Sequence, residues 1–168
     1  MAHDIVERFE QEGRDRFAFA EGAVETLRLL DEFGVPRSVI TRNSARSLCL
    51  LNEKLLEAGV EPFPEHLSLG REYEPAKPAP DSAVYVCEKM GVPTKEALFI
   101  GDGVHDLLCA KQAGCVPILI RNAGDHDEKH VQHTREVEQK HLHAHVFDSL
   151  VQAREELLQT IVNERPLQ

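Results

Sequence analysis

Phe99-Ile100-Gly101-Asp102-Gly103-Val104-His105-Asp106, running on to Ala110-Lys111-Gln112-Ala113-Gly114-Cys115, decides the fold. Leu98-Phe99-Ile100 is an apolar run of strand length, and its brevity predicts a buried strand. Gly101 and Gly103 let the backbone bend sharply around Asp102. The pattern beyond predicts a helix over about 105–113, stopped by Gly114, and then a strand from Val116 to Ile120. Strand, helix and strand in succession form a βα unit, whose crossover sets its two strands parallel in one sheet. Ligands of such sheets collect outside the carboxyl ends of the strands. Asp102 lies at one of these ends.

The same alternation extends in both directions. Val24, Leu27, Leu30 and Phe33 recur at helical spacing, and Gly34 ends that segment. Pro36 leads into a short strand, Ser38-Val39-Ile40-Thr41, and a polar turn, Arg42-Asn43-Ser44. A helix is predicted over 45–58 with Leu48, Leu51, Leu55 and Leu56 inward, and a short strand near 66–69. The prolines of Glu74-Pro75-Ala76-Lys77-Pro78-Ala79-Pro80-Asp81 forbid regular structure, and Asp81 is placed to N-cap a helix over 82–90. Residues 4–12 read as a short amphipathic helix, and 122–143 as a polar, His-rich stretch. Val146-Phe147 predicts a last strand before a helix over 149–162. The expectation is an α/β protein, a Rossmann-like parallel sheet with flanking helices. Its strands fall near 38–41, 66–69, 97–101, 116–120 and 145–148.

With 42% hydrophobic and 29% charged residues, the chain has the composition of a globular domain. Its net charge of −10 argues against nucleic acid or an anionic membrane as partner, since both are polyanions. A small phosphorylated metabolite stays compatible, because local cations act at short range. No window approaches the ~18 consecutive apolar residues of a membrane span. The first ten residues are acidic and lack an apolar core, so they read as neither signal nor transit peptide. Cys49, Cys87, Cys109 and Cys115 show no CxxC spacing and lie in apolar patterns. Buried, reduced thiols and a cytoplasmic location are expected.

A phosphoryl-transfer site needs carboxylates for a metal ion, donors for the non-bridging oxygens, and a cation for transition-state charge. Asp102 and Asp106, four apart across a strand-to-helix turn, suit one hard cation. Thr41 offers a hydroxyl at a strand end, backed by the amides of Arg42 and Asn43, and Lys77 supplies a charge from a stiff loop. Each feature alone is commonplace: a threonine ending a strand is usually a turn residue, and a lysine among prolines is usually solvated. Their order along the chain is what carries weight.

Val39-Ile40-Thr41-Arg42-Asn43, the lysine of Lys77-Pro78-Ala79-Pro80-Asp81, and Gly101-Asp102 with Asp106 resemble the second, third and fourth motifs of haloacid dehalogenase (HAD)-like hydrolases. Glu21-Gly22-Ala23-Val24-Glu25-Thr26-Leu27 is similar to the segment leading into the second motif of capped members. The resemblance covers about 15–150 and implies a phosphatase-type HAD core. It implies that Thr41, with Arg42 and Asn43, binds the phosphoryl oxygens and that Lys77 bridges phosphate and nucleophile. By the same resemblance Asp102, supported by Asp106, holds Mg²⁺. The catalytic set is then Thr41, Lys77 and Asp102.

The family reaction is attack on phosphorus by an aspartate from a D-x-D-G-T run, followed by hydrolysis of the aspartyl-phosphate. No such run is present, and neither Asp4 nor Asp15 follows an apolar strand. In the family sheet that strand is central, between those ending at Thr41 and Asp102, and its loss leaves two ladder edges without partners: either those strands pair directly, or another segment fills the gap, or the chain is incomplete. Residues 1–20 resemble the closing part of a helical cap, and 21–168 the core. These features lead to the expectation of an N-terminally truncated, Mg²⁺-dependent phosphomonoesterase, monomeric or weakly homo-oligomeric. The alternative is a catalytically inactive HAD-like binding or regulatory protein. A third reading, metal binding by the histidines, starts from His126, His130 and His133 at helical spacing and from the alternating His141, His143 and His145. In so polar a stretch a solvated surface is the stronger expectation. His105 lies in the fourth motif with no role assigned.

Overall fold

A computed structural model of the chain describes residues 11–13, 15–121, 140 and 142–156. The elements are α1 (Ala23–Glu32), β1 (Val39–Ile40), α2 (Ala45–Glu57), β2 (Ser68–Leu69), α3 (Asp81–Met90), β3 (Leu98–Gly101), α4 (Val104–Ala113), β4 (Val116–Ile120) and β5 (His145–Phe147). Residues 150–156 are helical. Among the described residues every strand pairing is parallel, in two separate ladders: β1 with β2, and β3 with β4 and then β5. The predicted α/β class and the five strand positions are thus met. The expected cap remnant and the helix at 4–12 lie mostly outside the described residues, as do His126, His130, His133 and His141.

The two ladders share a layer of helices rather than hydrogen bonds. Ala83 and Cys87 of α3 and Cys109 and Ala110 of α4 form one buried cluster with Cys115, and both Ile40 of β1 and Phe99 of β3 pack against it. The pleat sends the next residue of each strand to the other face. There Val39 meets Leu27 and Leu51 in the cluster around Leu55 and Phe63, and Ile118 and Ile120 meet Phe147 and Ala153. The result is helix, sheet and helix in layers, with the sheet divided between β1 and β3. Close packing fixes the edges: a Cβ on Gly22, whose φ is +80°, would sit 2.8 Å from Val151 Cγ2.

Four local expectations are corrected. Leu98-Phe99-Ile100 is not a wholly buried strand, for Leu98 and Ile100 are 46% and 37% exposed. They face away from α3 and α4, on the side where the helix at 150–156 covers β4 and β5 but leaves β3 open. Leu56 is exposed, because it lies about 100° around α2 from the fully buried Leu55. Cys49 is exposed while the other three cysteines are buried, all as free thiols. Asp81 is inside α3 rather than its cap, since Pro80 adopts helical angles and takes the capping position. In the first turn its carboxylate still complements the helix dipole.

Candidate active site

A cleft of about 610 Å³ opens where the sheet is divided, lined by the carboxyl ends of β1 and β3 and the first turn of α4. Thr41, Arg42, Asn43, Lys77, Asp102 and Asp106 all line it, so the structure brings together all six residues singled out in the sequence. Thr41 follows β1 directly, and its amide still pairs with the Leu69 carbonyl of β2 at 2.8 Å. Its hydroxyl accepts from the Asn43 amide at 3.1 Å, which closes the turn and holds Oγ1 at the rim. The Asn43 carbonyl in turn accepts from the Arg71 amide at 2.9 Å, tying the loop after β2 to the same corner.

Lys77 is more enclosed than its partner Asp106, its side chain only 9% exposed against 18%. Its ammonium donates to the Ile40 carbonyl at 2.7 Å and to Asp106 Oδ1 at 2.6 Å. It therefore spans from the end of β1 to the head of α4 and neutralises Asp106. Asp106 reaches it by crossing close over Gly101, where an added Cβ would fall 2.5 Å from the Asp106 Cβ. Asp102 is exposed at the tip of β3, with no hydrogen bond to its carboxylate from the described residues.

Mg²⁺ asks for hard oxygen donors and commonly takes only one or two carboxylates, completing its shell with water and substrate phosphate. Asp102 and the second oxygen of Asp106 fit that demand. Among the described residues no three His, Cys, Asp or Glu side chains converge into a fuller shell. Two features of the site escaped the sequence. The Ile40 carbonyl as a partner of Lys77 carries no side-chain signal. Arg42 Nη1 also lies 2.7 Å from His105 Nδ1, joining residues 63 apart in the chain. Among the described residues no helix is long and apolar enough to cross a membrane.

A parallel α/β sheet with a threonine, a buried lysine and two aspartates around its carboxyl-end cleft defines a Rossmann-like protein suited to an anion beside a hard cation. The chain belongs to the haloacid dehalogenase-like hydrolase family, whose model matches residues 3–114. It is 29% identical over 124 residues to a haloacid dehalogenase-like hydrolase domain-containing protein of Arabidopsis thaliana, covering 73% of this chain and 48% of that one. A phosphoglycolate phosphatase of Haemophilus influenzae is 30% identical over 94 residues, 56% of this chain and 41% of the relative. Among solved structures, a HAD hydrolase from Entamoeba histolytica superposes with a TM-score of 0.70 at 18% identity, over 89% of this chain and 65% of that one. The chain thus spans about half or less of the length of these two curated relatives.

Proposed function

We propose that this chain is the larger part of a Mg²⁺-dependent phosphomonoesterase core acting on a small phosphorylated metabolite, in which a further strand between β1 and β3 supplies the nucleophilic aspartate. The observation that carries this reading is the cleft itself: the phosphate-side residues and the carboxylates face one another across a gap between β1 and β3 that no strand of the described residues fills. A strand inserted there pairs with both open edges and brings its carboxyl end between Thr41 and Asp102. Phosphatases among the relatives support the same chemistry.

In this reading the Thr41 hydroxyl and the Arg42 and Asn43 amides hold the non-bridging oxygens. Lys77, already fixed by Ile40 and Asp106, offsets the charge that gathers at phosphorus. Asp102 and Asp106 would hold Mg²⁺, which when bound neutralises phosphoryl charge as a Lewis acid. The aspartate of the added strand attacks phosphorus as the ester oxygen leaves, and water then cleaves the aspartyl-phosphate to inorganic phosphate.

One observation favours a second reading. The carboxylates lining the cleft are Asp102 and Asp106, neither on the Thr41 side of the gap, so the chain by itself holds phosphate without turning it over. The experiment is phosphate release from p-nitrophenyl phosphate with Mg²⁺, by the 168-residue chain and by the chain extended upstream along its gene. Turnover by the extended chain alone is expected. Turnover by the 168-residue chain that Asp102→Asn abolishes would refute the supplied-strand proposal. Phosphate binding without turnover by either chain would favour the binding module.

A further inference from the structure

The charges around the cleft do not cancel in pairs. Lys77 is neutralised by Asp106 at 2.6 Å, while Asp102 lies exposed at the rim. Arg42, the other cation lining the cleft, meets an imidazole instead of a carboxylate: its Nη1 donates to His105 Nδ1 at 2.7 Å. A guanidinium only donates, so Nδ1 is the acceptor and the ring proton sits on Nε2. This contact uses one of the five N–H donors of the guanidinium.

Position adds to charge. Arg42 comes from the turn after β1 and His105 from the first turn of α4, so their contact bridges the mouth of the cleft. Arg42 also lines a neighbouring cleft of about 320 Å³ together with Arg71, Tyr73 and Glu74. The nearby acids are engaged by backbone amides: Glu72 Oε1 accepts from Ala45 at the head of α2, and Glu74 Oε2 from Ala76. A phosphoryl group held by Thr41 and Lys77 leaves the Arg42 fork without an anion. An Arg fork matches a carboxylate or phosphate through two parallel hydrogen bonds.

We infer that Arg42, oriented by His105, anchors a second anionic group on the substrate, so that the preferred substrates are phosphomonoesters bearing a carboxylate or second phosphate a few bonds from the first. This rests on the phosphomonoester reading above and adds a specificity determinant to it. Arg42 touches the substrate, and His105 acts as a positioning residue through Arg42.

The test is calorimetric titration of the 168-residue chain with Mg²⁺ and three ligands: ethyl phosphate, phosphoglycolate and ethylene glycol bisphosphate. At least one doubly anionic ligand is expected to bind about tenfold or more tighter than ethyl phosphate, and the tighter of the two identifies the second group. In Arg42→Ala the ratio of affinities is expected to fall to about 1. In His105→Leu it falls as well, whereas His105→Gln, whose amide oxygen accepts from Arg42, restores it. Equal affinity for all three ligands in the unaltered chain, or a ratio that survives Arg42→Ala, overturns the anchor and leaves the phosphomonoester reading standing. Binding of none of the three overturns the anchor, while turnover by the extended chain decides the phosphomonoester reading separately.

Discussion

Lys77 connects the two halves of the site. Its nearly buried ammonium is satisfied by the Ile40 carbonyl and Asp106, one on each side of the cleft. Removing Asp106 leaves a cation with little water and one neutral acceptor, a larger penalty than the net worth of the pair. Asp106→Ala is therefore expected to lower stability by about 2 kcal/mol, and adding Lys77→Met to recover part of that loss. Urea denaturation of both variants measures this, and a double variant no more stable than Asp106→Ala would count against it. The pair also shows what sequence can reveal at this scale. Thr41, Lys77, Asp102 and Asp106 each stand in a local setting of strand end, proline loop or glycine turn, so they are readable one motif at a time. The Arg42–His105 contact is made by exposed residues from two separate motifs, and no local periodicity links them.

Among the elements, α3 and α4 unite the divided sheet, and three of their neighbouring side chains are thiols. Burial pushes the Cys115 thiol up to about 12, with the Cys87 sulfur beside it adding to the effect, and burial raises Cys109 as well. The unfolded thiol ionises near 9.0. A folded value above the unfolded one means that the contribution to stability is complete below pH 9.0 and is lost as pH climbs from there through about 12. The midpoint of urea unfolding is expected to fall across that window, and a Cys115→Ser variant to show a smaller fall. Iodoacetamide at neutral pH is expected to label Cys49 alone in the folded chain, and fast labelling of Cys87, Cys109 or Cys115 would contradict this packing. The hydrophobic pattern made these helices legible to within a residue or two. It missed which cysteine faces water, because an apolar sequence context does not fix the angle of one residue around a helix. It also missed the start of α3, where Pro80 in helical angles displaced Asp81 from the cap.

For the whole molecule, the division between β1 and β3 governs behaviour in solution as well as chemistry. Among the described residues no strand joins the edges of β1 and β3, and on one side of the gap Leu98 and Ile100 lie exposed next to Val116 and Ile118 of the following strand. The sequence raised the question, since the expected strand between those ending at Thr41 and Asp102 is missing from it, but left open whether these two strands pair directly; among the described residues they do not. It could not foretell that Leu98 and Ile100 would be uncovered, because that depends on how far the helix at 150–156 reaches over the sheet. An open parallel edge with exposed aliphatic side chains is a template for pairing with another chain, and a charge placed on such an edge blocks it. The 168-residue chain is therefore expected to associate weakly with rising concentration in sedimentation velocity. Ile100→Lys, at an already exposed position, is expected to suppress this association, because a lysine at the edge resists a second strand while its stem still covers the sheet. The upstream-extended chain is expected to stay monomeric at the same concentrations, its added strand occupying the slot. A 168-residue chain that sediments as a monomer throughout would count against an open edge, and one that associates equally with Ile100→Lys would mean that the contact does not run through β3.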